Sequence, residues 1–116
     1  MNEFKDLMVK AIALEWESFV KYAIHASLIK TMGKSARADH LEEHADEEKD
    51  HAERLTMHML SRGQPFEINF SCSIPSNQLS GDVVSILIDD LRGEIEIIEL
   101  YLNIIEIIEN EDNLRD

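Results

Sequence analysis

The chain has 116 residues, of which 44% are hydrophobic and 30% are charged, a composition that fits one globular domain over residues 1–116 and argues against disorder. The formal net charge of −13 argues against a nucleic-acid-binding protein, because such surfaces are basic. Cys72 is the single cysteine, so we expect no internal disulfide. Charged residues interrupt the most apolar segment, residues 86–108, so we expect no membrane span. Because the chain opens without a basic-then-apolar leader, we expect a cytoplasmic protein.

The first half of the chain predicts a hairpin of two long helices. Apolar and small side chains recur at spacings of three and four over residues 3–32 and again over residues 36–62, which is typical of helices with one apolar stripe. Gly33 is placed to end the first helix, and Gly63 and Pro65 are placed to end the second. A short connection between two long helices predicts that they are antiparallel neighbours.

Residues 63–81 predict a long crossover instead of a tight turn. Such a stretch is long for a loop in a compact domain. However, a return along a helix of about 25 residues covers roughly 37 Å, which takes an extended chain about 11 or 12 residues. The crossover would therefore start a third helix parallel to the second. Its apolar side chains are expected to pin it to the bundle: Phe66, Ile68, Phe70 and Ile74.

A third helix is predicted over residues 82–109, and it carries two apolar sets. Its main stripe, which we expect to face inward, comprises Leu87, Leu91, Ile98, Tyr101, Ile105 and Ile108. The second set lies to one side and comprises Ile97, Leu100, Ile104 and Ile107. A surface helix needs only one stripe, so the two sets predict an all-α bundle in which this helix needs more partners than the two preceding helices provide.

One carboxylate interrupts the apolar stripe of each helix, at Glu15, Glu48 and Glu94. Burying a carboxylate is costly unless it is paired, protonated or bound to a metal. Glu48 and His51 form the one Glu-x-x-His of the chain, and residues three apart share a face of a helix. Because mixed oxygen and nitrogen ligands suit iron better than calcium or magnesium, these four residues predict an iron site.

Two further side chains are candidates for weaker roles. His44 shares a face with Glu48 and His51, so it could be an additional ligand or support one, although a surface histidine is the commoner case. Tyr22 follows Glu15 on the same face and either hydrogen-bonds a ligand carboxylate or is a core tyrosine.

These segments resemble the ferritin-like superfamily, and bacterioferritin most of all. Residues 14–26 contain a glutamate followed by Tyr-x-x-His-Ala, and residues 47–54 contain Glu-x-x-His-Ala. A Gly-Gln-Pro sequence then precedes the crossover, and residues 82–96 place Glu94 at the ligand position of the third helix. The resemblance covers residues 5 to about 108.

The resemblance implies a di-iron centre that oxidises Fe(II) with O2 or peroxide, and an oligomeric shell that stores the ferric product. Glu15, His51 and Glu94 would be terminal ligands, and Glu48 would bridge the two irons. The family's fourth helix, with its second Glu-x-x-His, is missing from this all-α bundle or is supplied by a partner chain, since no histidine follows His58. We therefore expect a truncated sequence or a site shared within a homo-oligomer, at least a dimer. Lys49 replaces the haem-ligand methionine of bacterioferritin, so no haem is expected.

Two other functions stay open on the sequence alone. A non-catalytic helical interaction protein with an incomplete metal site is consistent with the absent fourth helix and the spare apolar set. A di-iron peroxidase similar to rubrerythrin would have a comparable glutamate-rich site, but the chain has no Cys-x-x-Cys iron module.

Overall fold

The computed structural model describes the backbone of residues 2–115 and the side chains of residues 3–111. Within that range the chain forms helices without a strand: α1 (Asn2–Thr31), α2 (Ser35–Ser61), α3 (Ser76–Leu79) and α4 (Val83–Arg115). The predicted all-α bundle is confirmed. The helix predicted over residues 82–109 continues to Arg115, beyond its last predicted apolar residue. Among the described residues, no helix is both long and apolar enough to cross a membrane.

The turn between α1 and α2 forms where Gly33 adopts a left-handed conformation, with φ of +78°. Its backbone N–H donates to the carbonyl of Lys30, and the N–H of Lys34 donates to the carbonyl of Ile29. Such bonds satisfy carbonyl groups that the end of a helix leaves without partners. The chain therefore reverses sharply, and α1 and α2 form the hairpin that the sequence predicts.

The crossover between α2 and α4 is extended until α3, a single turn of helix that the periodicity did not predict. Pro75 precedes this turn, and its carbonyl accepts the N–H of Gln78. Phe66 and Ile68 pack against the core as expected. Phe70 is exposed, so the prediction that it pins the crossover was wrong.

Two hydrophobic clusters lie along the bundle, one on each side of its middle. The first joins α1, α2 and the start of α4 through Tyr22, Ala26, Ile29, Ala38, Leu41, Ala45 and Ile86. The second joins the start of α1, the end of α2 and the middle of α4 through Met8, Ala11, Ile12, Met59, Leu100 and Ile104. The three predicted glutamates occur in the sequence between these clusters, and Glu15 and Glu48 take positions where apolar side chains would otherwise continue the core.

The inward face of α4 differs from the sequence prediction. The second apolar set is the buried one, with Ile97, Leu100 and Ile104 packed in the bundle. The aliphatic members of the main stripe are instead 42–57% exposed; they are Leu87, Leu91, Ile98, Ile105 and Ile108. The prediction was wrong because the other described helices cover only one side of α4. Periodicity alone does not show which of the two apolar sets lies on that covered side.

Candidate metal centre

Three side chains from two helices converge in the middle of the bundle. Glu15 comes from α1, while Glu48 and His51 come from α2 and share a face of that helix. One ligand atom from each residue can be chosen so that all three atoms lie within 4.8 Å of one another. Glu15 is 1% exposed, whereas the side chain of His51 is 52% exposed. The cluster is therefore buried in the core at Glu15 and open to solvent at His51.

The carboxylate oxygens of this cluster lack the hydrogen bonds that buried oxygens normally have. Oε2 of Glu15 and Oε2 of Glu48 are both buried, and neither has a hydrogen-bond partner while both groups are ionised. Nδ1 of His51 lies 3.2 Å from the first oxygen and 3.8 Å from the second. Buried oxygens without partners are uncommon and call for an explanation, and a bound cation at their meeting point would provide one.

Burial and mutual repulsion hold these carboxyl groups partly protonated. Burial raises the pKa of Glu15, although hydrogen bonding from Glu48 and Tyr101 opposes the shift. Burial, the hydrogen bond with Glu15 and the charge of Glu15 raise the pKa of Glu48 to about 7. Two adjacent carboxylates cannot both ionise without cost, so near neutral pH a fraction of the pairs holds a proton that a metal ion could replace.

Two tyrosines orient the carboxylates at the opening. The hydroxyl of Tyr22 donates to Glu94 while its ring is buried in the first hydrophobic cluster. The hydroxyl of Tyr101 donates to Oε1 of Glu15 at 3.2 Å. Burial and the adjacent carboxylates raise the pKa of both tyrosines, so they remain donors at neutral pH. Sequence analysis did not assign a site role to Tyr101, although its spacing from Glu94 places both on one face of α4.

Glu94 lies at the same opening without joining the three-residue cluster. A cavity of about 240 Å³ is lined by Glu15, Glu48, His51, Glu94, Ile97, Ile98 and Tyr101. Its acidic groups come from α1, α2 and α4, and its remaining wall is mostly aliphatic. All four predicted ligands thus face one cavity, which is large enough for a metal ion with small-molecule ligands.

The structure does not bring His44 into this group. Its ring stacks on Tyr22, with 5.5 Å between the ring centroids, and its nearest acidic contact is Glu47, 3.8 Å away. Half of the side chain is exposed. His44 therefore packs on a tyrosine that bonds a predicted ligand, and it is not positioned as a ligand itself.

A family profile for the ferritin-like domain matches residues 5–115. The chain belongs to the ferritin-like family. No curated protein and no solved structure matches it. The match covers almost the whole chain and includes every helix that contributes to the cavity.

The donor set of this ferritin-like chain fits a transition-metal ion. Two carboxylate oxygens and one imidazole nitrogen are a combination that iron and its neighbours accept. The two buried oxygens have no hydrogen-bond partner when both acids are ionised, which is the state that a bound metal ion requires. Glu15, Glu48 and His51 could therefore hold a metal ion, and Glu94 could reach a second position in the same cavity.

A second buried polar group of the ferritin-like bundle was missed by sequence analysis. Nδ1 of His25 lies 2.8 Å from Asp90, and Nε2 lies 3.0 Å from Oε1 of Gln78. Gln78 donates through Nε2 to Asp89, which also pairs with Lys21 at 3.0 Å. Asp90 falls on the same side of α4 as Ile86 and Ile97, and this spacing could have predicted that Asp90 is buried. This group ties α1, α3 and α4 together.

Proposed function

We propose that the chain binds Fe(II) at Glu15, Glu48 and His51, as one part of a di-iron centre in which Glu94 binds the second iron. Oxidation of Fe(II) at this centre would serve iron storage or detoxification. The observation that carries the proposal is the pair of buried carboxylate oxygens that have no partner when both acids are ionised, both within 4 Å of His51 Nδ1. Membership of the ferritin-like family supports iron over other metals of similar preference.

The chain's own residues have distinct tasks in this proposal. Glu48 gives up its proton when Fe(II) binds, because a ligand carboxylate must be ionised. Tyr22 and Tyr101 hold Glu94 and Glu15 in place through hydrogen bonds, and such supporting contacts maintain ligand orientation. Fe(II) is the substrate, and it supplies the electrons that O2 or peroxide accepts. The open side at His51 provides the entry for both.

One chain contributes one Glu-x-x-His, whereas the four-helix di-iron centre uses two. The first position therefore takes about one iron per chain, and the second position, which offers Glu94, fills with comparable affinity where another copy supplies its remaining ligands. Because Lys49 stands where bacterioferritin has its haem ligand, the proposal includes no haem.

The decisive experiment is anaerobic Fe(II) titration of the metal-free protein, compared with Glu48→Gln and Glu47→Gln variants. Glu47 precedes the proposed ligand but is exposed, so its variant is a control for the loss of one acidic group. We expect about one iron per chain in the wild type and Glu47→Gln, and at least a tenfold loss of affinity in Glu48→Gln. Admission of O2 should then oxidise the bound iron. Equal iron binding by all three proteins would refute the proposed site.

The alternative is a helical interaction protein that keeps the ferritin-like fold without iron chemistry. The exposed apolar surface of α4 favours it. Under this alternative the wild type takes up no stoichiometric Fe(II), while its association with other chains persists in the presence of a chelator.

A further inference from the structure

The side of α4 that faces away from α1 has a continuous row of apolar side chains. We call this row the outer seam; its members are Val84, Ile88, Leu91, Ile95, Ile98, Leu102 and Ile105, each 44–66% exposed. The seam contains no polar residue over about 32 Å of helix. Exposed apolar surfaces of this extent commonly mark interaction sites, and none of the other described helices covers it.

The spacing within the outer seam identifies the shape of its partner. Successive members are separated alternately by four and three residues, the repeat that keeps one seam facing a second long helix in a coiled coil. The buried side of α4, from Ile86 to Ile104, has the same repeat and packs on α1. A helix with two such seams on nearly opposite sides is suited to lie between two helices, of which the described residues supply one, α1.

The charges beside the outer seam favour one orientation of an identical helix. Arg92 and Glu99 lie on one flank, and Glu94 and Tyr101 lie on the other, next to the metal cavity. In antiparallel pairs like flanks meet, so Arg92 would lie beside Glu99 of a second copy. In parallel pairs opposite flanks meet, which would place Glu94 beside Glu99 of the second copy and leave Arg92 without an acidic partner. Like charges at such positions oppose pairing.

We propose that the outer seam is a homodimer interface in which α4 pairs antiparallel with α4 of a second copy. The charge pattern and the repeat together set the register: Ile95 packs opposite Ile98 of the second copy, and Leu91 packs opposite Leu102. In this register Leu87 lies beside Ile108 of the second copy. The ends of the flank that contains Glu94 and Tyr101 are therefore apolar in both copies and also match. The contact is self-complementary, as a two-fold interface requires.

This register also determines where the metal cavity lies in the dimer. Glu94 would lie beside Tyr101 of the second copy, on the flank next to the cavity. The two cavities would therefore open at the rim of the interface, near the two-fold axis, and each would gain a wall from the other copy. The pairing itself depends on the apolar seam and does not require a bound metal.

The first test is the mass of the metal-free protein by light scattering, for the wild type, Leu102→Glu and Leu79→Glu. Leu102 and Leu79 are 60% and 63% exposed, so neither substitution opens the core of a single chain, and helix content by circular dichroism checks folding. We expect the wild type and Leu79→Glu to have at least twice the mass of one chain, and Leu102→Glu to dissociate. The proposal would be overturned if the wild type had the mass of a single chain, which would leave the seam to an unlike partner. It would also be overturned if Leu102→Glu left the assembly unchanged.

The second test determines the orientation by cross-linking in a Cys72→Ser background. Leu91→Cys and Leu102→Cys together should give a covalent dimer under mild oxidation, because each cysteine faces the other position of the second copy. Neither substitution alone should do so, since the two copies of one position lie far apart in an antiparallel pair. Cross-linking by Leu91→Cys alone would show a parallel pair and overturn the register.

The flank charges provide an independent check of the same register. Arg92→Glu and Glu99→Arg should each raise the dimer dissociation constant, by about tenfold, because each creates two like-charge contacts per dimer. The double variant should restore the wild-type value. Additive losses in the double variant would show that these residues do not meet.

Discussion

Nδ1 of His51 lies 3.2 Å from Oε2 of Glu15, a contact that joins α2 to the most buried acid of α1. The second acid, Glu48, lies 3.8 Å from the same nitrogen. While both acids are ionised, their carboxylates repel each other and both Oε2 atoms lack a hydrogen bond. In that state the cluster lowers the stability of the metal-free fold, and a bound cation would relieve that effect.

The metal-free protein should lose stability as pH rises. Burial and Glu15 raise the pKa of Glu48 from its usual value of 4.5 to about 7. A carboxyl group with a raised pKa favours the folded state while it is protonated, so this contribution is full below pH 4.5 and is lost as pH rises to about 7. The shift corresponds to a loss of up to about 3 kcal/mol in the free energy of unfolding. Urea unfolding at pH 5 and pH 8 with a chelator measures it.

Glu48→Gln isolates that effect, since glutamine keeps the shape of the side chain but does not ionise. The variant should be more stable than the wild type at pH 8 and similar to it at pH 5, while Glu47→Gln should follow the wild type at both. A variant less stable than the wild type at pH 8 would mean that the ionised carboxylate stabilises the fold.

The long helices could be predicted from sequence because their apolar spacing and their breakers agree. Gly33 marks the end of α1, and the turn has the left-handed backbone that glycine allows. The packed side of α4 could not be predicted, because Leu91 and Leu100 belong to two apolar sets with the same repeat. Which set is buried depends on how many helices surround α4, and that is a property of the assembly.

Much of the candidate site was also predictable, since Glu15, Glu48 and Glu94 each interrupt an apolar stripe and face one cavity. The spacing of Glu48 and His51 fixed their common side of α2. The pairing of His25 with Asp90 could not be predicted, because it depends on the α1–α4 contact and on α3. Contacts between helices distant in sequence require the register of packing, which periodicity within one helix does not provide.

Tyr22→Phe should weaken binding at the second metal position more than at the first. It removes the hydroxyl that donates to Glu94 but leaves the Glu15–Glu48–His51 cluster intact. Loss of such a supporting hydrogen bond typically reduces metal affinity by about 10–100-fold. Anaerobic Fe(II) titration of Tyr22→Phe should therefore resolve a fraction of sites with weakened affinity. Tyr101→Phe removes the hydrogen bond to Glu15, so it should instead weaken Fe(II) binding at the first metal position. Equal effects of the two variants would argue against separate roles.

Asp90→Asn should destabilise the bundle strongly at neutral and mildly acidic pH, where Asp90 is ionised and His25 is charged. Burial disfavours a charged His25 ring, but the hydrogen bond and charge of Asp90 outweigh burial and raise its pKa. A histidine with a raised pKa stabilises the fold below pH 6.5, and this contribution is lost as pH rises through the folded-state pKa. Removing one partner of a buried ion pair costs about 3–5 kcal/mol.

Chemical unfolding of Asp90→Asn and the wild type from pH 5 to pH 9 tests this pairing. The difference between the two proteins should shrink toward pH 9, where His25 is neutral in both. Asp46→Asn, at an exposed position of α2, should match the wild type throughout. A difference that is constant with pH would assign the loss to packing instead of to charge.

Gly93→Ala should stabilise the protein, although Gly93 lies on the side of α4 next to α1. An added Cβ would lie 3.7 Å from Oγ of Ser18, an ordinary van der Waals contact. Alanine within a helix is favoured over glycine by about 0.5–1 kcal/mol, which should raise the thermal midpoint by about 2–5 °C. Gly33→Ala is the matched control: no atom lies within 4 Å of its added Cβ, but its φ of +78° strains alanine by about 1–2 kcal/mol. Calorimetry should therefore show opposite shifts, and a lower midpoint for Gly93→Ala would mean that α1 and α4 pack more closely than these distances indicate.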